Sequence, residues 1–321
     1  MTIDLRGLRS FVAVASAGSI SRAAENRHIA QPALSTHIRQ IEEQLGTPLF
    51  DRHPRGVTLT SAGERFLIHA VDILRRVDAA YDDVRDAVDE PAGRVAIGLP
   101  QSVAKFLTVP MVKEVVQRWP KIQLQMIELS SGYIPDNLVK GHIDIGLTFG
   151  TENDARIQFR HLMDEELVFV TSPAQLDKVL PAGAPRRDTI SLGELKPFSI
   201  ILPTEAHSLR RRINEYLAQE KVRLNVVAEV NTIPQLVELA SAGVGSTILS
   251  HASVRDDVSA GRIMTLGISS PLMTRPVYLC RSSTAQLSIA TSKVQDLLRD
   301  TTRALVDSGT WLAELSDKSV T

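Results

Sequence analysis

Gln31, Ser35 and Arg39 step by four residues along the chain, with Thr36 beside them. On a helix that spacing lines them up on one face. The face can donate and accept hydrogen bonds, carries one cation, and meets no acid until Glu42. A helix entering a major groove needs those properties to read base edges. Arg55 lies in the run Arg52-His53-Pro54-Arg55-Gly56, a turn between two short extended segments. A guanidinium at such a tip reaches a minor groove or a phosphate. Residues 1–60 hold seven arginines against five acids, and the first lysine of the chain is Lys105. Arginine suits forked contacts to phosphate and guanine, although so small an excess also fits an ordinary solvated surface.

A second set of polar residues falls where strands should end and helices begin. It comprises Gln101, Ser102, Ser130, Thr148, Phe149, Thr204, His207, Asn231 and Thr232. In open parallel sheets, ligands sit beyond the carboxyl ends of the strands, against helix N-termini that favour anions. Ser102, Ser130 and Thr232 read equally well as plain helix caps. Glu205, in the same corner as Thr204, would oppose an anion. Gly243-Val244-Gly245 follows a helix and precedes a strand, so it reads as a turn and not as a phosphate-binding loop.

Enzymatic chemistry finds little support. The chain has no Gly-x-Ser-x-Gly elbow, no His-Glu-x-x-His and no phosphate loop, so it is not read as an enzyme. His142 and Asp144 share one face of a strand without a nucleophile in view. His28 and His37 have no cysteine or acid cluster at metal-ligand spacing, and no metal site is expected. Cys280 is the one cysteine. It permits no internal disulfide, suits a reducing cytoplasm, and reads as buried structure. No apolar run reaches the roughly 18 residues of a membrane span, and the N-terminus lacks a signal-peptide core. A cytoplasmic protein without a membrane role is expected.

These residues need elements to hold them. Leu5, Leu8, Phe11, Val12 and Ala15 recur at helical spacing, giving a helix over 5–16 that Gly18 can stop and Ser19 can follow as a cap. A short helix over 20–26 contains Ala23 and Ala24, small enough for close helix approach. A third helix starts at Gln31 or Pro32 and turns Leu34, Ile38, Ile41 and Leu45 inward. Ser61-Ala62-Gly63-Glu64 fits a capping box with Ser61 as the cap. From there Phe66, Ala70, Ile73, Val77, Ala80, Val84 and Ala87 form a heptad seam. A helix over 62–89 would be roughly 40 Å long. Such a stripe must be buried, against its own domain or against a second chain. Pro91-Ala92-Gly93 ends it.

After Gly93 strands and helices alternate. Strands are expected over 94–99, 123–129, 143–149, 198–202, 225–230 and 246–249. Helices fall over 104–119, 134–140, 209–219, 233–242 and 287–305. This is α/β with parallel sheets expected, in two subdomains.

The runs Ala24-Glu25-Asn26-Arg27-His28-Ile29-Ala30-Gln31-Pro32-Ala33-Leu34-Ser35, Leu45-Gly46-Thr47-Pro48-Leu49-Phe50-Asp51-Arg52 and Leu59-Thr60-Ser61-Ala62-Gly63 closely resemble the LysR-type transcriptional regulators. The resemblance is strong over about the first 65 residues. The rest agrees more weakly, mainly in element order and the segment from Gly243 to Ser250. It implies a winged helix-turn-helix DNA-binding domain over 1–60, a dimerising linker helix over 61–91, and a two-lobed effector-binding domain over 92–307 shaped like periplasmic binding proteins. Lobe 1 would take about 92–162 and 268–307, lobe 2 about 163–267, with a tail at 308–321. The resemblance implies base contacts from Gln31, Pro32, Ser35 and Thr36. It implies backbone or minor-groove contacts from Ser21, Arg22, Arg39 and Arg55. Its implied partners are double-stranded promoter DNA, a homodimer through the linker helix and a homotetramer, and it leaves RNA polymerase open. No cofactor is implied, only a small-molecule effector of unknown identity. Arg27 departs from the family, which usually has leucine there; it alters local packing or adds a cation near DNA. Residues 98–119 loosely resemble the nitrogen-assimilation branch, in which effector dependence is not assured. The alternatives are a constitutive, effector-independent regulator, a solute-binding protein and an enzyme.

Overall fold

The computed structural model describes residues 3–85, 90–179, 187–283 and 287–316. The chain opens with α1 (Leu5–Ala17), started by Asp4, whose carboxylate accepts from the Gly7 N–H at 2.7 Å. Gly18 ends it in the left-handed conformation at φ 60°, which glycine adopts without penalty. Ser19 then caps α2 (Ile20–Asn26), and α3 (Gln31–Leu45) follows with Pro32 in its first turn. A hairpin of β1 (Phe50–His53) and β2 (Gly56–Leu59) forms the wing. Phe11 stands at the centre of this head, 5.2 Å from the Phe50 ring and 4.9 Å from Phe66. It ties α1, the wing and α4 (Ser61–Arg85) into one core with Leu34, Ile38 and Ile41.

Two expectations for the head change. Leu45 is 41% exposed, because Gly46 turns the chain away directly after it at φ 65°. The cap of α4 is Thr60, not Ser61. Its hydroxyl accepts from the Gly63 N–H at 3.0 Å and donates to the Pro48 carbonyl at 2.8 Å. That second bond ties the helix start to the chain before the wing, which Ser61 cannot do from inside the first turn. Along the expected seam Ala70 is buried, Val77 half-buried and Ile73 exposed. Ala87 lies outside the described residues, as does the expected helix end at 86–89.

The remaining strands are β3 (Gly93–Leu99), β4 (Ile122–Glu128), β5 (Ile145–Thr148), β6 (Ile157–Thr171), β7 (Thr189–Ile190), β8 (Ser199–Leu202), β9 (Asn225–Glu229), β10 (Thr247–Ser250), β11 (Met264–Ile268), β12 (Thr274–Ser282) and β13 (Ala313–Leu315). Between them run α5 (Gln101–Arg118), α6 (Ile134–Val139), α7 (Pro173–Val179), α8 (Ser208–Gln219), α9 (Ile233–Ser241), α10 (His251–Ser259) and α11 (Ile289–Asp307).

The sheets are mixed, which corrects the expectation of parallel ones. β4, β3 and β5 pair in parallel, but β12 runs antiparallel to β5 and to β6. The cause is β6, fifteen residues long. Its first part pairs with β12 in one lobe, from Ile157↔Ser282 to Glu166↔Thr274. Its second part pairs with β10 and β11 in the other, both antiparallel. β8 and β9 form a separate two-stranded parallel sheet in that lobe, joined to the start of β10 by the isolated bridge Ile200↔Ser246. Each lobe has its own core, one around Ile97, Leu107 and Leu298, the other around Phe169, Phe198 and Ile248. Ala252 of α10 belongs to the first core although its flanking strands belong to the second lobe. The C-terminal segment also departs from expectation. Trp311 is 1% exposed and stacks on Phe106 at 5.7 Å, and β13 pairs with β6 from Ala313↔Glu165 to Leu315↔Met163. Residues 308–316 are therefore part of the first lobe. Only 317–321 of the expected tail remain, outside the described residues.

Candidate nucleic-acid interface and inter-lobe cleft

The predicted reading face is held by its neighbours. The Ser21 hydroxyl of α2 donates to Gln31 Oε1 at 3.2 Å, so the amide at the head of α3 is oriented before any DNA arrives. Thr36 donates back to the Pro32 carbonyl at 2.9 Å. Gln31, Pro32, Arg22, Arg39 and Arg55 are exposed, and Ser35 and Thr36 half-buried. Arg39 lies 3.5 Å from Glu43, one turn along the same helix. Pairs this exposed contribute little and yield easily to a phosphate. The wing that carries Arg55 is docked on the turn before α2: the Val57 N–H donates to the Gly18 carbonyl at 3.0 Å. His37 is structural, its Nδ1 2.8 Å from the Ser10 hydroxyl. Arg27 closes α2 and lines a groove along α1 and α4, with Arg6, Arg9, Phe66 and Ile73.

The second set of predicted residues gathers where the two lobes meet. Thr148, at the end of β5, donates to the Ser131 carbonyl at 3.3 Å, and the Ser131 hydroxyl lies 3.0 Å from that of Ser208 in the other lobe. Thr204 donates to Asn231 at 3.3 Å. None of the three suspected caps works as one. Pro100 occupies the cap of α5, and the Ser130 and Thr232 hydroxyls make no capping bond. Their side chains are left for other partners. His207 does cap, accepting from the Leu209 N–H through Nδ1 at 3.2 Å. Burial pushes its pKa down and the charge of Arg275 pushes it the same way, both favouring the neutral ring; because Nδ1 accepts, the proton of that neutral form sits on Nε2. Glu205 no longer opposes an anion: Arg210 pairs with it at 2.7 Å and with Glu229 at 2.8 Å. Beside this corner lies a cavity of about 480 Å³, lined by Gln101, Ser102 and Thr108 from one side and Ile233, Pro234 and Val237 from the other.

The residues missed by sequence reasoning lie on the linking strands. Glu165 of β6 and Arg275 of β12 are buried together. Arg275 Nε donates to Glu165 Oε1 at 2.7 Å, its Nη2 donates to the same oxygen, and that Nη2 reaches the Ser102 hydroxyl at 3.4 Å. The guanidinium lies 3.4 Å over the ring of Phe149, a favourable cation–π placement. Trp311 Nε1 donates to Glu165 Oε2 at 3.1 Å. Lys105 of α5 also bridges the lobes, 2.9 Å from Asp256 of α10.

A family model described as the bacterial regulatory helix-turn-helix protein, lysR family, matches residues 5–64. A second, the LysR substrate binding domain, matches 89–303. The chain belongs to the LysR family. It is a LysR-type transcriptional regulator with a helix-turn-helix DNA-binding domain and an effector-binding domain. The nitrogen assimilation regulatory protein nac of Klebsiella aerogenes is 28% identical over 300 residues, covering 92% of this chain and 94% of its own. Among solved structures, a cysteine variant of full-length OxyR from Pseudomonas aeruginosa superposes with a TM-score of 0.77 at 21% identity, covering 94% of this chain and 95% of that one. The effector-binding domain of QuiR in complex with shikimate gives 0.57 at 20% identity, covering 66% and 98%.

The likeness to OxyR is one of fold. The sole cysteine here, Cys280, is fully buried in β12, and burial pushes its thiol up to about 12. A thiol is reactive as thiolate, which this one does not form near neutrality. We expect native protein to leave a thiol reagent such as DTNB unreacted, and denatured protein to react with one equivalent per chain. Rapid native labelling would contradict the buried placement.

Proposed function

We propose that this LysR-type regulator binds an inverted-repeat operator as a homodimer, within a homotetramer, in the cytoplasm. Gln31, Pro32, Ser35 and Thr36 contact bases; Ser21, Arg22, Arg39 and Arg55 contact the backbone or minor groove. The observation that carries this reading is the Ser21–Gln31 hydrogen bond, which pre-sets an exposed amide at the head of α3. An amide held this way is suited to bidentate pairing with adenine. Further support for assembly comes from apolar surface left uncovered in one chain. Ile73 and Tyr81 on α4 are 42% and 62% exposed, Val109 and Val116 on α5 72% and 62%. Among the described residues no helix is long and apolar enough to cross a membrane. RNA polymerase is the natural downstream partner at a promoter.

The sensor would take a small metabolite between its lobes, at Gln101, Ser102, Ser130, Thr148, Phe149, Thr204, His207, Asn231 and Thr232. The effector-binding domain of QuiR, which shares the fold, forms a complex with shikimate. Regulation without an effector is the second reading. Its support is that Ser131–Ser208 and Lys105–Asp256 already join the lobes.

The test is fluorescence anisotropy with DNA from the region upstream of the coding sequence. Affinity should fall steeply with rising salt as counterions are released. Gln31→Ala and Ser35→Ala should each weaken binding about tenfold, the loss of one good base contact, and leave the melting temperature unchanged. Unaltered operator affinity in both variants would remove them from the readout.

A further inference from the structure

We propose that the groove between α1 and α4 of the head receives the acidic end of α4 from a second copy of this chain, and that Arg6 and Arg27 make the pairing selective for self. This rests on the homodimer reading and names the surface by which one copy recognises another.

The groove has a volume of about 780 Å³. Leu5, Phe66 and Ile73 give it apolar walls, and Arg6, Arg9 and Arg27 line it with positive charge. Asp4 is the one acid among its described lining residues, and its carboxylate already accepts from the Gly7 N–H at 2.7 Å. Arg27 is half-buried there, and neither it nor Arg6 has an ion-pair partner among the described residues. A cation partly withdrawn from water favours a carboxylate beside it. Ile73 stays 42% exposed at the same place. A surface both apolar and cationic suits a protein segment that mixes acids with apolar residues. DNA phosphates would answer the arginines and leave Phe66 and Ile73 uncovered.

The chain carries such a segment. The last two turns of α4 read Asp78-Ala79-Ala80-Tyr81-Asp82-Asp83-Val84-Arg85, three acids against one cation. Tyr81 among them is 62% exposed. This segment cannot reach the groove of its own chain, because Phe66 and Ile73 belong to the same unbroken helix. Phe66 and Asp82 are sixteen positions apart, and a straight helix rises about 1.5 Å per residue, which separates them by about 24 Å. A second copy can supply it. When two α4 helices lie antiparallel about a two-fold axis, residues 66–73 of each face residues 78–85 of the other. Both grooves are filled at once, as a two-fold contact requires. The apolar residues supply the affinity and the charges supply the choice of partner. The LysR family usually has leucine where this chain has Arg27. A related regulator without acids at the end of its linker helix would leave that half-buried charge unmatched, which penalises the mixed pair.

The experiment uses full-length chains. Arg6→Glu with Arg27→Glu makes the groove acidic, and Asp82→Lys with Asp83→Lys makes the helix end basic. Either variant alone sets like charges against each other in both contacts of its dimer. The two co-expressed restore opposite charges in both. Operator affinity by fluorescence anisotropy should fall about tenfold for each variant alone, the effect of a few surface ion pairs reversed together. It should return to the wild-type value in the mixed protein. A carbodiimide, which joins only touching amines and carboxylates, should couple the introduced lysines to the introduced glutamates across chains in that mixture. Thermal melts by circular dichroism check that each head is folded. Should the arginine variant unfold, Arg27→Leu placed in the lysine variant should recover part of the lost affinity, since it removes one repelling charge. Loss in only one of the two variants, or no recovery and no cross-link on mixing, would overturn the inference. An arginine variant that loses affinity while the lysine variant keeps it would assign the groove to the DNA backbone instead. Wild-type chain that sediments as a monomer would overturn the homodimer reading itself.

Discussion

Glu165→Ala should destabilise the effector-binding domain by about 3–5 kcal/mol, the cost of leaving one member of a buried ion pair alone. Arg275 would keep its charge at 1% exposure with only the Ser102 hydroxyl and the Phe149 face nearby. Trp311 would lose the acceptor of its indole N–H, and β13 is paired to β6 at this very residue, Ala313↔Glu165. The loss should therefore loosen the C-terminal strand first. Urea unfolding followed by circular dichroism measures the total, and limited proteolysis measures release of the C-terminus. Replacing both partners with apolar residues, Glu165→Leu with Arg275→Met, should restore most of the stability, since an apolar pair of similar volume needs no compensation. A single substitution costing under about 1 kcal/mol, the range of ordinary surface changes, would show that the pair is not isolated from water.

The same pair shows where the sequence stops being readable. The head was legible because its signals are local. Apolar spacing, Gly18, Ser19 and Pro32 act within a few residues, and the helices fall within a residue or two of expectation. The lapse at Thr60 is also instructive. Thr60 and Ser61 offer equivalent hydroxyls, and the choice between them depends on Pro48, twelve residues back. In the sensor, short strands followed by helices announced most of the cleft corners. β6 did not announce itself. It carries His161, Asp164, Glu165 and Glu166 in its middle, and its two parts bury different faces in different lobes, so no single alternation runs through it. Glu165 and Arg275 are 110 positions apart. Each alone reads as a solvated charge; only the antiparallel pairing of β6 with β12 makes them a buried unit. The expectation of parallel sheets failed for the same reason, because both strands that break the pattern were unread.

Gly63→Ala should disable DNA binding by unfolding the head, although helix propensity argues the reverse. Alanine inside a helix is favoured over glycine by about 1 kcal/mol. Here an added Cβ would stand 2.1 Å from the Leu49 carbonyl oxygen and 2.9 Å from Leu59 Cδ2. The side chain can move, but Leu49 cannot. Its carbonyl accepts from the Thr60 N–H at 3.0 Å, and its own N–H donates to Glu42 at 2.8 Å. Relief requires α4 to lift from the wing, and α4 brings Phe66, Leu67, Ala70 and Val71 to the head core. Overpacking against fixed backbone costs about 3 kcal/mol, so sterics outweigh propensity. Gly56→Ala should act alike, since its Cβ would meet the Gly18 carbonyl at 2.2 Å from a backbone at φ 137°. Calorimetry should show a low-temperature transition for the head with the sensor transition unmoved, and operator binding lost in proportion. A head that melts higher in Gly63→Ala would mean that α4 and the wing are not locked. The angle at which α4 leaves the DNA-binding head would then be adjustable, and a shift in the sensor could reach the DNA through it.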